Sequence, residues 1–222
     1  MGNGLTVIFG KCGFTKINFF SIAASIAAGT SLKFGETSDT RTDCFIQFTY
    51  LHARQNTNRD ELALGIQLEP VAKTATLLYV DTSQESEEGY VNLTYNMGGG
   101  PISVKETRRK VDDGYYHRIR VFRNGYWMLL EVDDLKTRHV STKPSGEQFN
   151  EQQSVWLGSH PGQNGSSALR GILTGVFYNG LLLSELAAGL SHRADIHVSR
   201  HPEIQYLANF KVKLARDSPL QM

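Results

Sequence analysis

Tyr116-His117-Arg118-Ile119-Arg120-Val121-Phe122-Arg123, then Asn124-Gly125, then Tyr126-Trp127-Met128-Leu129-Leu130-Glu131-Val132, decides the fold class. Basic and apolar side chains alternate from Arg118 to Val121, as they do on a strand with one wet and one dry face. Asn-Gly tolerates positive φ at both positions and is the strongest short hairpin signal, so the apolar run from Tyr126 reads as the returning strand. Similar short, β-rich runs lie upstream at residues 45–51, 61–68, 75–80, 90–95 and 102–105, and downstream at 172–178. Turn formers separate them: Gly98-Gly99-Gly100-Pro101, Asp112-Asp113-Gly114 and Asn179-Gly180. The one helical piece is Ser184-Glu185-Leu186-Ala187-Ala188, with Ser184 as the expected cap and Gly189 as the terminator. A parallel α/β sheet needs a crossover helix between successive strands, and none is present. The pattern predicts an all-β, antiparallel two-sheet sandwich.

The bulk numbers fit one such domain. The 222 residues are 40% hydrophobic and 20% charged, enough to build a packed core. Lys+Arg 23 against Asp+Glu 22 leaves a net charge of +1, so no global field draws phosphate backbones or anionic lipid, and nucleic acid is not an expected partner. Cys12 and Cys44 are the only cysteines, too few for a disulfide framework and, without histidines at ligand spacing, for a zinc site. Whether they pair is left open. The seven histidines stand singly and read as surface or strand residues.

Residues 17–28 are apolar and small, with Lys11 and Lys16 before them. The run is shorter than the ~20 residues a membrane-spanning helix needs. It is either signal-like or an insertion beside the first strand. The expected organisation is an N-terminal segment over 1–29, the sandwich over 30–210 and a tail over 211–222.

Sites of catalysis are missing. There is no Gly-x-Ser-x-Gly elbow, phosphate-cradling loop or His-Glu-x-x-His helix. A sandwich can carry glycosidase chemistry on two facing carboxylates, but Glu85, Glu87 and Glu88 sit in a polar loop and Asp133-Asp134 reads as a turn pair. No enzyme activity is expected.

Several segments, in order, resemble laminin G-like (LNS) domains, most closely the last such domain of neurexins. They are Arg59-Asp60-Glu61-Leu62-Ala63-Leu64-Gly65, Leu77-Leu78-Tyr79-Val80-Asp81, Tyr95-Asn96-Met97-Gly98, and Val111-Asp112-Asp113-Gly114-Tyr115-Tyr116-His117 running on to Val121. Phe149-Asn150 before Val155-Trp156-Leu157-Gly158, and Gly171-Ile172-Leu173-Thr174-Gly175-Val176-Phe177-Tyr178-Asn179-Gly180, complete the series. The family's first strand has two counterparts, Val7-Ile8-Phe9-Gly10-Lys11 and Ser31-Leu32-Lys33-Phe34-Gly35.

The resemblance implies a jelly-roll sandwich of the concanavalin-like kind with a Ca2+ site at its rim. By position, the Asp81 carboxylate and the Asn150 side-chain carbonyl would be ligands, joined by backbone carbonyls at Gln148 and at Leu93 or Thr94. Calcium is a hard cation that takes six to eight oxygens; one formal negative charge implies the weak affinity, ~10⁻⁴–10⁻³ M, of extracellular modules. From the residues alone, Asp81 and Asn150 read as turn residues. The family further implies an extracellular, cell-surface setting within a larger, membrane-anchored protein, a role in adhesion at contacts such as synapses, and a protein ectodomain as partner. Lys143-Pro144-Ser145-Gly146-Glu147-Gln148 lacks the apolar anchors found in neurexins, which puts a neuroligin-like partner in question. The alternative function is a metal-free module binding heparan sulfate or another glycan through Lys105, Arg108, Arg109, Lys110, Arg118 and Arg120. Asn92 and Asn164 lie in Asn-x-Ser/Thr tripeptides, the acceptor pattern for N-glycosylation in a secreted protein.

Overall fold

The computed structural model describes residues 30–35, 44–54, 59–69, 77–80, 89–96, 101–140, 152–158, 169–208, 210–211 and 213–214. Through these run β1 (Ser31–Phe34), β2 (Phe45–Arg54), β3 (Arg59–Leu68), β4 (Leu78–Val80), β5 (Tyr90–Asn96), β6 (Pro101–Lys110) and β7 (Tyr116–Asn124). There follow β8 (Trp127–Val132), β9 (Leu135–Val140), β10 (Gln152–Gly158), β11 (Gly171–Tyr178), β12 (Leu181–Leu182), the helix α1 (Leu183–Ala188), β13 (Ile196–Arg200) and β14 (Gln205–Leu207).

The larger sheet has the order β14-β1-β11-β3-β7-β8-β9, with β12 folded back on β11; the smaller is β13-β2-β10-β4, and β5 pairs with β6. The pairings in both sheets are antiparallel. Ile46, Phe48, Val155 and Leu157 of the smaller sheet share one core with Leu62, Leu64, Ile66, Ile119, Val121 and Leu173 of the larger. Leu93 and Val104 bring β5 and β6 into it. This is the expected sandwich, two faces interdigitating through alternate residues.

Two local expectations are corrected. Asn124 is the last residue of β7, opposite Trp127, so the hairpin loop is Gly125-Tyr126. Only Gly125 there has positive φ (55°), the pattern of a II′ turn. The two-residue Asn-Gly turn with both φ positive is found instead at Asn179-Gly180. Ser184 does not cap α1: Leu181 and Leu182 still pair with β11, the helix starts at Leu183, and Ser184 falls buried inside its first turn. The N-terminal position is Leu182, which makes no side-chain cap bond, while Gly189 ends the helix as expected. Of the two counterparts for the first strand, Ser31–Phe34 forms β1, between β11 and β14. Val7 to Lys11 lie outside the described residues.

Candidate functional site

Pairing of β4 with β10 places Val80 opposite Val155. In an antiparallel pair the C-terminal end of one strand and the N-terminal start of the other share an edge, so β4 stops and β10 begins at the same rim of the smaller sheet. Asp81, Gln148, Asn150 and Asn164 lie outside the described residues. Leu93 and Thr94 are both buried, on β5 opposite Val104 and Ser103. Asn92 is half-buried, and its Oδ1 accepts a hydrogen bond from Ser103 Oγ at 2.6 Å.

Buried polar bonds fasten the elements that end at this rim. Tyr178, the last residue of β11, donates its hydroxyl proton to Gln152 Oε1 at 2.9 Å, pinning the first residue of β10. On the next two strands of the larger sheet, Arg123 of β7 donates through Nε to Asp60 Oδ2 of β3 at 2.7 Å, with Nη2 at 2.6 Å from the same oxygen. Asn179 Nδ2 donates to Asp60 Oδ1 at 2.6 Å, while Asn179 Oδ1 accepts the backbone N–H of Glu61 at 2.7 Å. The alternation of β7 explains the burial: residues 117, 119, 121 and 123 share one face, so the face that buries Ile119 and Val121 also buries His117 and Arg123. Asp60 stands opposite Arg123 in register. Burial pushes the Tyr95 hydroxyl, near the end of β5, up to about 12 against the opposing pull of the Arg123 charge.

The far end of β7 is closed by His117, 2% exposed, with Nδ1 2.9 Å from Asp133 Oδ2 and Nε2 2.9 Å from Asp113 Oδ1. Both ring nitrogens face carboxylates, which favours the imidazolium. Burial, the largest single influence, opposes the charge, but hydrogen bonds to Asp133 and Asp113 and their charges outweigh it and raise the pKa. Asp133 and Asp113 are lowered: in each, burial acts upward and is outweighed, mainly by the bond to His117. A raised histidine stabilises fully below its unfolded value of ~6.5 and stops doing so as pH rises through its folded value; the lowered carboxylates stabilise above ~3.8 and cease to as pH falls through theirs. The melting temperature of the wild type is therefore expected to fall as pH rises above ~6.5, and His117→Gln to remove that fall. Parallel melting curves for the two proteins from pH 5 to pH 9 would contradict the arrangement.

The histidines do not all stand singly, as the sequence suggested. Besides His117, His201 lies beside Cys44 and Glu203, the one group of three metal-capable donors among the described residues. The basic stretch behind the glycan alternative is largely paired with acids. Glu106 forms an ion pair with Arg108 and accepts from Thr137, and its carboxyl is held down at about 2, chiefly by the Arg108 hydrogen bond against the opposing effect of burial. Arg109 lies 3.7 Å from Asp133, Arg118 3.3 Å from Asp134 and Arg120 3.7 Å from Glu131. Lys105 and Lys110 both sit over the Tyr90 ring.

A family model, the laminin G domain, matches residues 68–181. The chain belongs to the laminin G domain family. This laminin G domain is 30% identical over 173 residues to Neurexin-3-beta of Homo sapiens, covering 72% of the chain and 25% of that protein. It is 29% identical over 201 residues to Neurexin-1a-beta of Danio rerio, covering 72% of the chain and 43% of that protein. The chain thus spans less than half the length of these relatives. The mouse laminin alpha1 chain, domains LG4-5, superposes with a TM-score of 0.54 at 13% identity over 77% of this chain and 46% of that one, a likeness of fold. Residues 68–181 take in β4, β10 and the rim where they meet; Cys44, His201 and Glu203 fall outside the matched stretch of the laminin G domain. No helix among the described residues is long and apolar enough to cross a membrane.

Proposed function

We propose that this laminin G domain is a non-enzymatic, extracellular binding module of a larger neurexin-like cell-surface protein, and that it binds a partner ectodomain at a rim bearing Ca2+. The Asp81 carboxylate, the Asn150 amide carbonyl and backbone carbonyls at Gln148 and at Leu93 or Thr94 would hold the ion. The observation that supports this reading is the antiparallel pairing of Val80 with Val155, by which β4 ends and β10 begins at a common edge of the smaller sheet. The donor set fits the ion, since every atom in it is a hard oxygen, whereas the sulfur and nitrogen of Cys44 and His201 suit calcium poorly. When bound, the cation would supply open positions for acidic or hydroxyl oxygens of a partner. The chain's own part is to carry those ligands next in sequence to β4 and β10 and on β5, with β10 fastened to β11 by the Tyr178–Gln152 bond.

Calorimetry with Ca2+ on the wild type and on Asp81→Ala tests it. A dissociation constant in the ~10⁻⁴–10⁻³ M range is expected for the wild type, with a calcium-linked rise in melting temperature. Asp81→Ala should lose both. Equal heats from the two proteins, or none from the wild type, would sink the metal-bearing rim. The glycan alternative draws less support, because Arg108, Arg109, Arg118 and Arg120 each face a carboxylate within the domain. Retention on heparin that survives chelator and disappears above moderate salt would restore it.

A further inference from the structure

The geometry points to a second metal site in this domain, for a thiophilic divalent cation of the zinc class, formed by Cys44, His201 and Glu203. Cys44 immediately precedes β2 and is 2% exposed. His201 immediately follows β13, which pairs with β2, and its backbone N–H continues that ladder to Phe45 O at 3.0 Å. The chain then turns, with Ile204 N–H donating to His201 O at 3.1 Å, and this turn carries Glu203 back toward the thiol. Sheet pairing thus joins residues 157 and 159 positions apart in sequence.

Cys44 Sγ lies 3.6 Å from His201 Nδ1 and 3.8 Å from Glu203 Oε2. All three donor atoms lie within 4.8 Å of one another. Around tetrahedral zinc, bond lengths near 2.3 Å to sulfur and 2.0–2.2 Å to nitrogen or oxygen put neighbouring ligand atoms about 3.6 Å apart. The two sulfur edges already have nearly that length, so a cation enters with small side-chain adjustments and no backbone movement. The backbone N–H of Glu203 faces His201 Nδ1 at 3.4 Å, which asks that nitrogen to be the acceptor and leaves the ring proton on Nε2. The cation takes that lone pair in place of a long hydrogen bond, and the thiol proton goes to solvent on binding.

Charge and class agree. A thiolate, a carboxylate and a neutral imidazole together cancel a 2+ ion, so little net charge is buried beside Cys44. Thiolate and imidazole select zinc-like ions over calcium. Half-buried His201 and Glu203 leave room for water as a fourth ligand. The cluster is also separate from the proposed calcium rim. Phe45 pairs with Gly158, and Gly158 N–H donates to Leu77 O, so the cluster sits where β2 and β4 start and β10 ends. The seven residues of β10 separate the two ends by roughly 20 Å.

The test uses the full 222-residue chain, reduced, stripped with chelator and titrated with Zn2+ or Co2+ in the absence of calcium. One equivalent of Zn2+ should bind and raise the melting temperature, and Co2+ should give a sulfur-to-cobalt charge-transfer band that vanishes in Cys44→Ser. Glu203→Gln, at a half-buried turn where folding is little affected, should weaken Zn2+ on the order of tenfold or more, while Asp81→Ala should leave it unchanged. No charge-transfer band in the wild type, Zn2+ affinity unaltered in Cys44→Ser or Glu203→Gln, or a mass showing a Cys12–Cys44 disulfide in the chain before reduction would each overturn the site and leave a thiol–imidazole hydrogen bond.

Discussion

Replacing Asp60 by alanine is expected to destabilise the domain by about 3–5 kcal/mol, the cost of leaving one member of a buried ion pair without its partner. The side chains of Asp60 and Arg123 are each 1% exposed. The carboxylate takes two guanidinium contacts on one oxygen and the Asn179 amide on the other. Alanine removes all three acceptor contacts and leaves a cation where water cannot solvate it. At 2–4 °C per kcal/mol for a domain of this size, the melting temperature should fall by roughly 10 °C. The double variant Asp60→Leu with Arg123→Met should recover much of that loss, because apolar replacement of a buried pair is often neutral. Thermal and urea unfolding of the three proteins checks the argument. A loss below about 1 kcal/mol in the single variant, or no recovery in the double, would contradict it. Asn179, which bonds Asp60, follows Tyr178, whose hydroxyl holds Gln152, so calcium binding at the proposed rim should weaken in parallel with Asp60→Ala.

Gly171→Ala should be about as damaging, for a reason of backbone rather than charge. Gly171 opens β11 between Phe34 of β1 and Leu68 of β3. Its φ is 139°, and a β-carbon there would lie 2.4 Å from Gln67 O and 2.9 Å from Leu68 Cα. Those are main-chain atoms of a central strand, which no rotamer change can move aside. Conformational strain of about 1–3 kcal/mol adds to an overpacking cost of about 1–3 kcal/mol. Gly125→Ala is the internal comparison, with φ 55° and nothing within 4 Å of the added carbon. It should cost about 1 kcal/mol, the strain alone. Equal losses at the two positions in urea unfolding would show that the β3–β11 contact plays no part.

The readable strands were those with apolar residues on a buried face. β2, β3, β5, β7, β8 and β11 announce themselves by alternation or by short Val, Ile, Leu and Phe runs. The strands missed were β9, β12, β13 and β14, of which β9, β13 and β14 lie at sheet edges. Leu135–Val140 alternates between half-buried and exposed positions, so its sequence, Leu-Lys-Thr-Arg-His-Val, carries no apolar stripe to read. Such polar edges are how sheets avoid pairing with other chains. β6 likewise runs on to Lys110 past the apolar residues, held by Arg108 bonding Lys136 O and Thr137 of β9.

Sequence alone determined that the chain folds as an antiparallel sandwich, that Asn179-Gly180 makes a tight turn and that the domain is of the laminin G type. These are local patterns, or an ordered series of them, and period-two alternation survives in the one-dimensional string. Only the tertiary structure decided that His117 and Arg123 face inward against Asp113, Asp133 and Asp60, and that Cys44 meets His201 and Glu203. Those contacts join residues brought together by strand register and turn geometry, and register is fixed by the packing of two whole sheets rather than by any segment.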